Sequence, residues 1–266
     1  MEDFRFKVNL GGMIEILSDH LYSSPNVYIR ELLQNGVDAI NARKNKGIDT
    51  DGCITLDIEE GSRLVFTDNG LGLTEAEIHQ FLAIIGESSK RNLTNGRIHT
   101  DYIGRFGIGL LSCFMVSDEI RMYTKSCSAP DAPVLEWRGK PDGTYNIINH
   151  GTNCEDAAFF NDSPGTQVVL SAKPGQEDYF TKDTIKRLVI YYGMLLPFPI
   201  IIRQNGQEEQ INPVYLPWEG RETNKNELML FGNMMFAEPG TDMADTTRQQ
   251  FFDCVPFHSE EGNVSG

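Results

Sequence analysis

The sequence predicts an α+β fold, a sheet with helices on one face. Two observations carry this expectation. Strand-like runs come in clusters, at 53–60 and 62–70 and again at 119–125, 134–138 and 144–149, where a doubly wound fold would alternate strand and helix one for one. The apolar share of 40% and charged share of 23% over 266 residues describe an ordinary globular chain, long enough for one large domain or one domain plus part of another.

The elements follow in order. FRFKV at 4–8 alternates like a short strand, and residues 12–22 carry Met13, Ile14, Ile16, Leu17 and Leu21 at helical spacing. SSPN at 23–26 is helix-entry chemistry leading into YIRELLQNGVDAINAR at 28–43. A polar loop spans 44–52. CITLDIEE and SRLVFTDNG read as two strands hinged at Gly61. TEAEIHQFLAII then opens a helix with Thr74 as cap and Glu77 in the capping-box position. Residues 86–103 are polar and weakly patterned, and FGIGLLSCFMV opens a second apolar helix at 106. After the 119–149 strands come a strand at 166–173, a helix at 183–196 and a strand at 197–204. Beyond 205 the composition turns acidic and turn-rich, which places a domain boundary near 205–212. No internal repeat is visible.

The bulk numbers exclude several classes of function. A net charge of −15 argues against a surface that wraps nucleic acid, which needs clustered Lys and Arg. Cys53, Cys113, Cys127, Cys154 and Cys254 are odd in number and lack a CxxC pair, so a disulfide framework or zinc site is not expected and a reducing, cytoplasmic compartment is. The five histidines are scattered without ligand spacing. The N-terminus lacks the basic start and apolar core of a signal peptide, and no stretch has membrane-spanning length, so no membrane partner is expected.

Three short stretches carry chemistry. On the helix at 28–43, Glu31, Asn35 and Asp38 have the i, i+4, i+7 spacing that puts side chains on one face, opposite Ile29, Leu32, Leu33, Val37 and Ile40. An ordinary solvated face is one reading, but such faces usually mix in Lys and Arg, and this row holds only oxygen-bearing groups. TDNGLGL at 67–73 is either a hairpin marked by Asn-Gly or a ligand loop, in which Asp68 recognises a base or sugar edge while Gly70 and Gly72 admit close approach. IGRFGIGLLSCF at 103–114 places Gly104, Gly107 and Gly109 before an apolar helix, where backbone N–H groups can cradle a phosphate. No strand precedes this loop, so it does not fit the dinucleotide fingerprint, and the Walker Lys-Ser/Thr is absent. Together the three form a nucleotide site. Asp68 can accept from an adenine amino group, Asn35 can offer its amide oxygen to Mg²⁺, and Glu31 can orient or deprotonate the attacking water.

In this order and spacing, ELLQNGVDA, DNGLGL, GRFGIG and SPGTQVVL resemble the GHKL ATPase superfamily, and within it the heat shock protein 90 family most closely, over residues 4–204. The resemblance implies a two-layer sandwich of a mixed, mostly antiparallel sheet with helices on one face. It implies ATP/ADP and Mg²⁺ as ligands, Glu31 as the catalytic carboxylate, Asn35 as the magnesium ligand and Asp68 as the adenine anchor. Asp38, Gly70, Gly72 and Thr166 match nucleotide-pocket positions, and Gly104, Arg105, Phe106, Gly107, Ile108 and Gly109 match the phosphate loop. Asp38 as a helix-bundle hydrogen bonder and Thr166 as an ordinary strand threonine stay open as plainer readings. Residues 86–103 would be the lid over ATP. The sequence departs from the family at Gly36-Val37, where Ala-Ser is usual, and at Glu87, where lysine is common. Residues 1–205 would then be the ATP-binding domain and 206–266 a linker and truncated start of a middle domain. The implied function is an ATP-hydrolysing chaperone acting on unfolded or partly folded clients, homodimeric as a full-length protein through a region absent here. A nucleotide-gated binding module with negligible hydrolysis and a DNA-acting relative are the alternatives, the latter disfavoured by charge.

Overall fold

The computed structural model describes residues 24–48, 51–82, 109–129, 131–152, 154–161 and 163–213, with Gly232. The expected strand at 4–8, helix at 12–22, lid at 86–103, loop residues Gly104 to Ile108 and nearly all of 214–266 lie outside the described residues.

Helix α1 (Val27–Asn45) extends the expected helix by a residue or two at each end. Ile29, Leu32, Leu33 and Ile40 are buried, the apolar set expected of its inner face. Its entry differs in detail from the SSPN reading. Asn26 makes no side-chain cap, and Ser24 Oγ instead accepts the Asn26 N–H at 3.3 Å. Arg43 and Lys44 close the last turn, where cations favour the helix dipole.

Strands β1 (Ile54–Glu59) and β2 (Arg63–Asp68) form the expected hairpin around Gly61. Helix α2 (Glu75–Leu82) carries the expected capping box: Thr74 N–H donates to Glu77 Oε2 at 2.8 Å and Glu77 N–H to Thr74 Oγ1 at 3.4 Å. The apolar stretch after Gly109 is a 3-10 helix (Leu110–Met115) rather than an α-helix over its described part. Ser112 Oγ donates back to the Gly109 carbonyl at 2.6 Å, and Val116 N–H reaches Cys113 O three residues back, both of which tighten the turn.

Strands β3 (Ile120–Lys125), β4 (Val134–Gly139), β5 (Tyr145–Asn149), β6 (Gly165–Ser171), β7 (Ile200–Gln204) and β8 (Gln207–Gln210) complete one eight-stranded sheet in the order β5-β4-β3-β6-β2-β1-β7-β8. All neighbours are antiparallel except β1 and β7. Helix α3 (Lys182–Gly193) starts on Thr181, whose Oγ1 accepts the Thr184 N–H. It ends earlier than the apolar pattern suggested, and β7 starts later, because Pro197 and Pro199 supply no N–H to helix or ladder.

One face of the sheet packs under α1, α3 and the 3-10 turn, with Leu56, Leu64, Phe66, Ile120, Met122, Val168, Leu170 and Ile200 pointing into that layer. This is the mixed, mostly antiparallel α+β arrangement expected, with one addition. A kinked 3-10 segment at 155–161 covers part of the second face, where Cys154, Ala157 and Phe160 meet Tyr123, Val134 and Val169. The sheet continues past 205 through β8, inside the window placed for a domain boundary.

Candidate functional site

A cavity of about 270 Å³ opens between α1 and the inner face of the sheet. Its upper wall is the polar row of α1 and the small residues beside it: Asn35, Asp38, Ala39 and Ala42. Phe66 and Asp68 of β2, Met122 of β3, and Thr166 and Val168 of β6 form its floor. The rim is made by Leu71, Gly72, Leu73 and Glu77, with Lys46 at the far end of α1. Five residues singled out in the sequence, Asn35, Asp38, Asp68, Gly72 and Thr166, therefore face one space.

Asp68 is the chemical centre of the floor. It ends β2 opposite Thr166, is 4% exposed, and accepts the Gly70 N–H on Oδ1 at 2.9 Å. Burial pushes its carboxyl up to about 7, against the opposing pull of amide N–H groups from Gly70 and Thr166. The walls around it are mostly apolar, so a ligand that pairs with this group gains from low dielectric.

The Asn69-Gly70 pair does not turn a hairpin. The chain leaves the sheet and runs along α1: Leu71 N–H donates to Ala39 O at 3.0 Å, and Arg43 Nη1 donates to Asn69 O at 2.8 Å. Asn69 locks the exit by accepting the Cys53 N–H and donating to Asp51 O. Gly70 lies behind the wall and not on it, because a Cβ there would fall 2.5 Å from Ala39 Cβ. Gly72 has φ +64 and a Cβ site only 1.9 Å from the Lys125 carbonyl, so the loop closes on β3 only with glycine. Thr124, which no sequence pattern marked, holds this closure: fully buried, it accepts the Leu73 N–H at 2.8 Å and donates to Gly165 O at 3.0 Å.

Glu31 stands outside the cavity wall, one helical turn before Asn35. Its Oε1 meets Arg30 Nη2 at 2.7 Å and Nε at 3.1 Å. On its other side lies Gly109, the last residue of the glycine loop, where a Cβ would come within 2.3 Å of Glu31 Oε2. Burial, with the Glu31 charge beyond it, pushes the Cys113 thiol well above the usual thiol range. Asp38 is exposed at the mouth. Sequence reasoning assigned Glu77 to helix capping alone, yet its side chain also reaches the rim, and Lys46 was not marked at all.

Among the described residues no group of three or more His, Cys, Asp or Glu side chains could hold a metal. Asn35 lines the cavity wall, and an asparagine amide oxygen is a ligand type that suits a hard cation.

The family model for histidine kinase-, DNA gyrase B-, and HSP90-like ATPases matches residues 22–149. The chain is 29% identical over 215 residues to a TNF receptor-associated protein 1 homolog, mitochondrial, of Dictyostelium discoideum, covering 76% of this chain and 29% of that protein. It is 28% identical over 221 residues to an endoplasmin homolog of Leishmania infantum, covering 75% and 28%. It is 26% identical over 281 aligned positions to the chaperone protein HtpG of Mycobacterium avium (strain 104), covering 95% and 41%. The chain thus spans under half the length of these relatives.

Proposed function

We propose that this chain is a divergent member of the heat shock protein 90 family built on a GHKL ATPase domain, and that it binds and hydrolyses ATP as the nucleotide module of a molecular chaperone. The observation that carries the reading is the cavity itself: a buried carboxyl, Asp68, at its floor, Asn35 and Thr166 on its walls, and Glu31 one turn away beside the end of the glycine loop. Asp68 accepts a hydrogen bond from the 6-amino group of adenine, and Phe66, Met122 and Val168 exclude water from the base. The phosphates we assign to the glycine loop, whose last residue, Gly109, lies beside Glu31. Asn35 would hold Mg²⁺, which would neutralise phosphate charge. Glu31 orients the attacking water and takes its proton. Asp38 and Gly72 shape the mouth and the base slot.

The role of Glu31 is tested by ATP turnover. Glu31→Gln should lower turnover by about a hundredfold or more, the range for losing a general base, with ADP affinity kept. Turnover unchanged in that variant would remove Glu31 from the chemistry. The Arg30 pair supports a second reading, a nucleotide-gated binding module with negligible hydrolysis, because the guanidinium engages Glu31 Oε1, an oxygen that would otherwise face the attacking water. On that reading Arg30→Ala raises turnover.

We assign client remodelling and homodimerisation to segments outside the described residues, and residues beyond β8 to a linker and the start of a middle domain. Cytoplasmic residence is our reading of an odd number of cysteines that lack a CxxC pair. No described helix is long and apolar enough to cross a membrane.

A further inference from the structure

Resting on the nucleotide reading above, we infer that Asp68 reads the 6-position of a purine in two states, so that the same pocket discriminates against 6-oxopurine nucleotides when the carboxyl is ionised and admits them when it is protonated. A carboxylate only accepts hydrogen bonds. It pairs with the 6-amino donor of adenine and repels the 6-oxo acceptor of hypoxanthine or guanine. A carboxylic acid carries one O–H donor and can pair with that oxygen.

The geometry makes the two states accessible near neutrality. Asp68 is 4% exposed at the floor of the cavity, and its Oδ1 accepts the Gly70 N–H. Among the described residues no cation is paired with it. From α1, Arg43 Nη1 is directed to Asn69 O, Lys46 lies at the far rim and Asp38 is exposed at the mouth. From the loop and α2, Glu77 is engaged with Thr74. On β3, Lys125 Nζ donates to Phe160 O on the opposite side of the sheet. β6 carries no titratable side chain, Arg63 of β2 pairs with Glu59 at the other end of the hairpin, and Asp57 of β1 lies beside Arg203 and Glu208. Burial and amide N–H groups therefore decide the charge state, and they hold the carboxyl at about 7.

The test compares calorimetric affinities of ADP and inosine diphosphate, which carry an amino and an oxo group at position 6, with Mg²⁺ between about pH 6 and about pH 8. The ADP preference should grow by up to about a hundredfold across that range, since the ionised fraction of one group rises about tenfold while its protonated fraction falls about tenfold. Asp68→Asn supplies the second arm. It replaces one carboxylate acceptor by an amide N–H₂ donor that does not titrate, so it should favour inosine diphosphate over ADP at every pH. A pH-independent preference in the unsubstituted chain, or an ADP preference retained by Asp68→Asn, would overturn the inference while leaving nucleotide binding intact. Failure of both nucleotides to bind the unsubstituted, folded chain at any pH would overturn the nucleotide reading and this inference with it.

Discussion

At the scale of single residues, the site stores its recognition in groups that are costly to the fold. Asp68 has its carboxyl raised by burial from the ordinary carboxylate range to about 7. A raised folded-state value means that the folded chain holds this proton more tightly than the unfolded chain. The contribution is fully favourable below about pH 4 and is lost as pH rises through about 7. Asp68→Asn removes the titration, so its stability relative to the unsubstituted chain should improve steadily from about pH 5 to about pH 8 in urea melts. A constant difference would contradict the assignment. Gly72 is costly in another way. Alanine there meets the Lys125 carbonyl and must hold φ +64, so Gly72→Ala should destabilise by more than about 2 kcal/mol and weaken ADP binding. At Gly36 a Cβ would lie 3.1 Å from both Ile54 Cδ1 and Phe66 Cζ. The helix gain of about 1 kcal/mol for Gly36→Ala is thereby offset, and Phe66 is pressed into the cavity.

At the scale of elements, Asn212 shows how far the sheet reaches. Its Oδ1 accepts the Ile200 N–H, and its Nδ2 donates to Leu196 O and Phe198 O, with the side chain 4% exposed. Asn212→Ala leaves these buried backbone groups without partners and should cost about 2–4 kcal/mol in chemical denaturation. An effect under about half a kcal/mol would mean that the chain beyond β8 is not tied to the sheet. The same region shows what was legible in the sequence and what was not. The helices and strands α1 to α3, β1 to β4, β6 and β7 were readable because each buries apolar side chains. Strand β8, QEEQ, is an exposed edge with no apolar alternation, so only its turn announced it. Asn205 (φ 51) and Gly206 (φ 75) both take the left-handed conformation that a two-residue hairpin turn requires. Asn69-Gly70, the same dipeptide, makes no hairpin, since the chain after β2 is drawn along α1 and not back along the sheet. Local sequence could not separate the two; tertiary contacts did. Within the site, Asn35, Asp38, Asp68, Gly72 and Thr166 were legible from spacing and resemblance. Thr124, Lys46 and the second role of Glu77 were not, because each depends on which strands become neighbours.

At the scale of the whole molecule, the sheet and its helical layer build a binding module whose ligand also stabilises the fold. Binding to the folded state alone adds about 2.7 kcal/mol at a hundredfold excess over Kd, so ADP should raise the thermal midpoint in a concentration-dependent way. A midpoint insensitive to ADP would argue against the cavity as its site. The net charge of −15 belongs to the same account, since an acidic chain that attracts nucleotide phosphates needs local N–H donors and a cation to do so. The measurement that bears most directly on the central claim is calorimetric binding of ADP with Mg²⁺, at about pH 8 where Asp68 is ionised, to this chain and to Asp68→Asn. The account predicts saturable one-to-one binding that Asp68→Asn weakens by at least about tenfold, the loss of one charge-assisted hydrogen bond. Binding of equal strength in the two chains, or none to the unsubstituted folded chain, would contradict it.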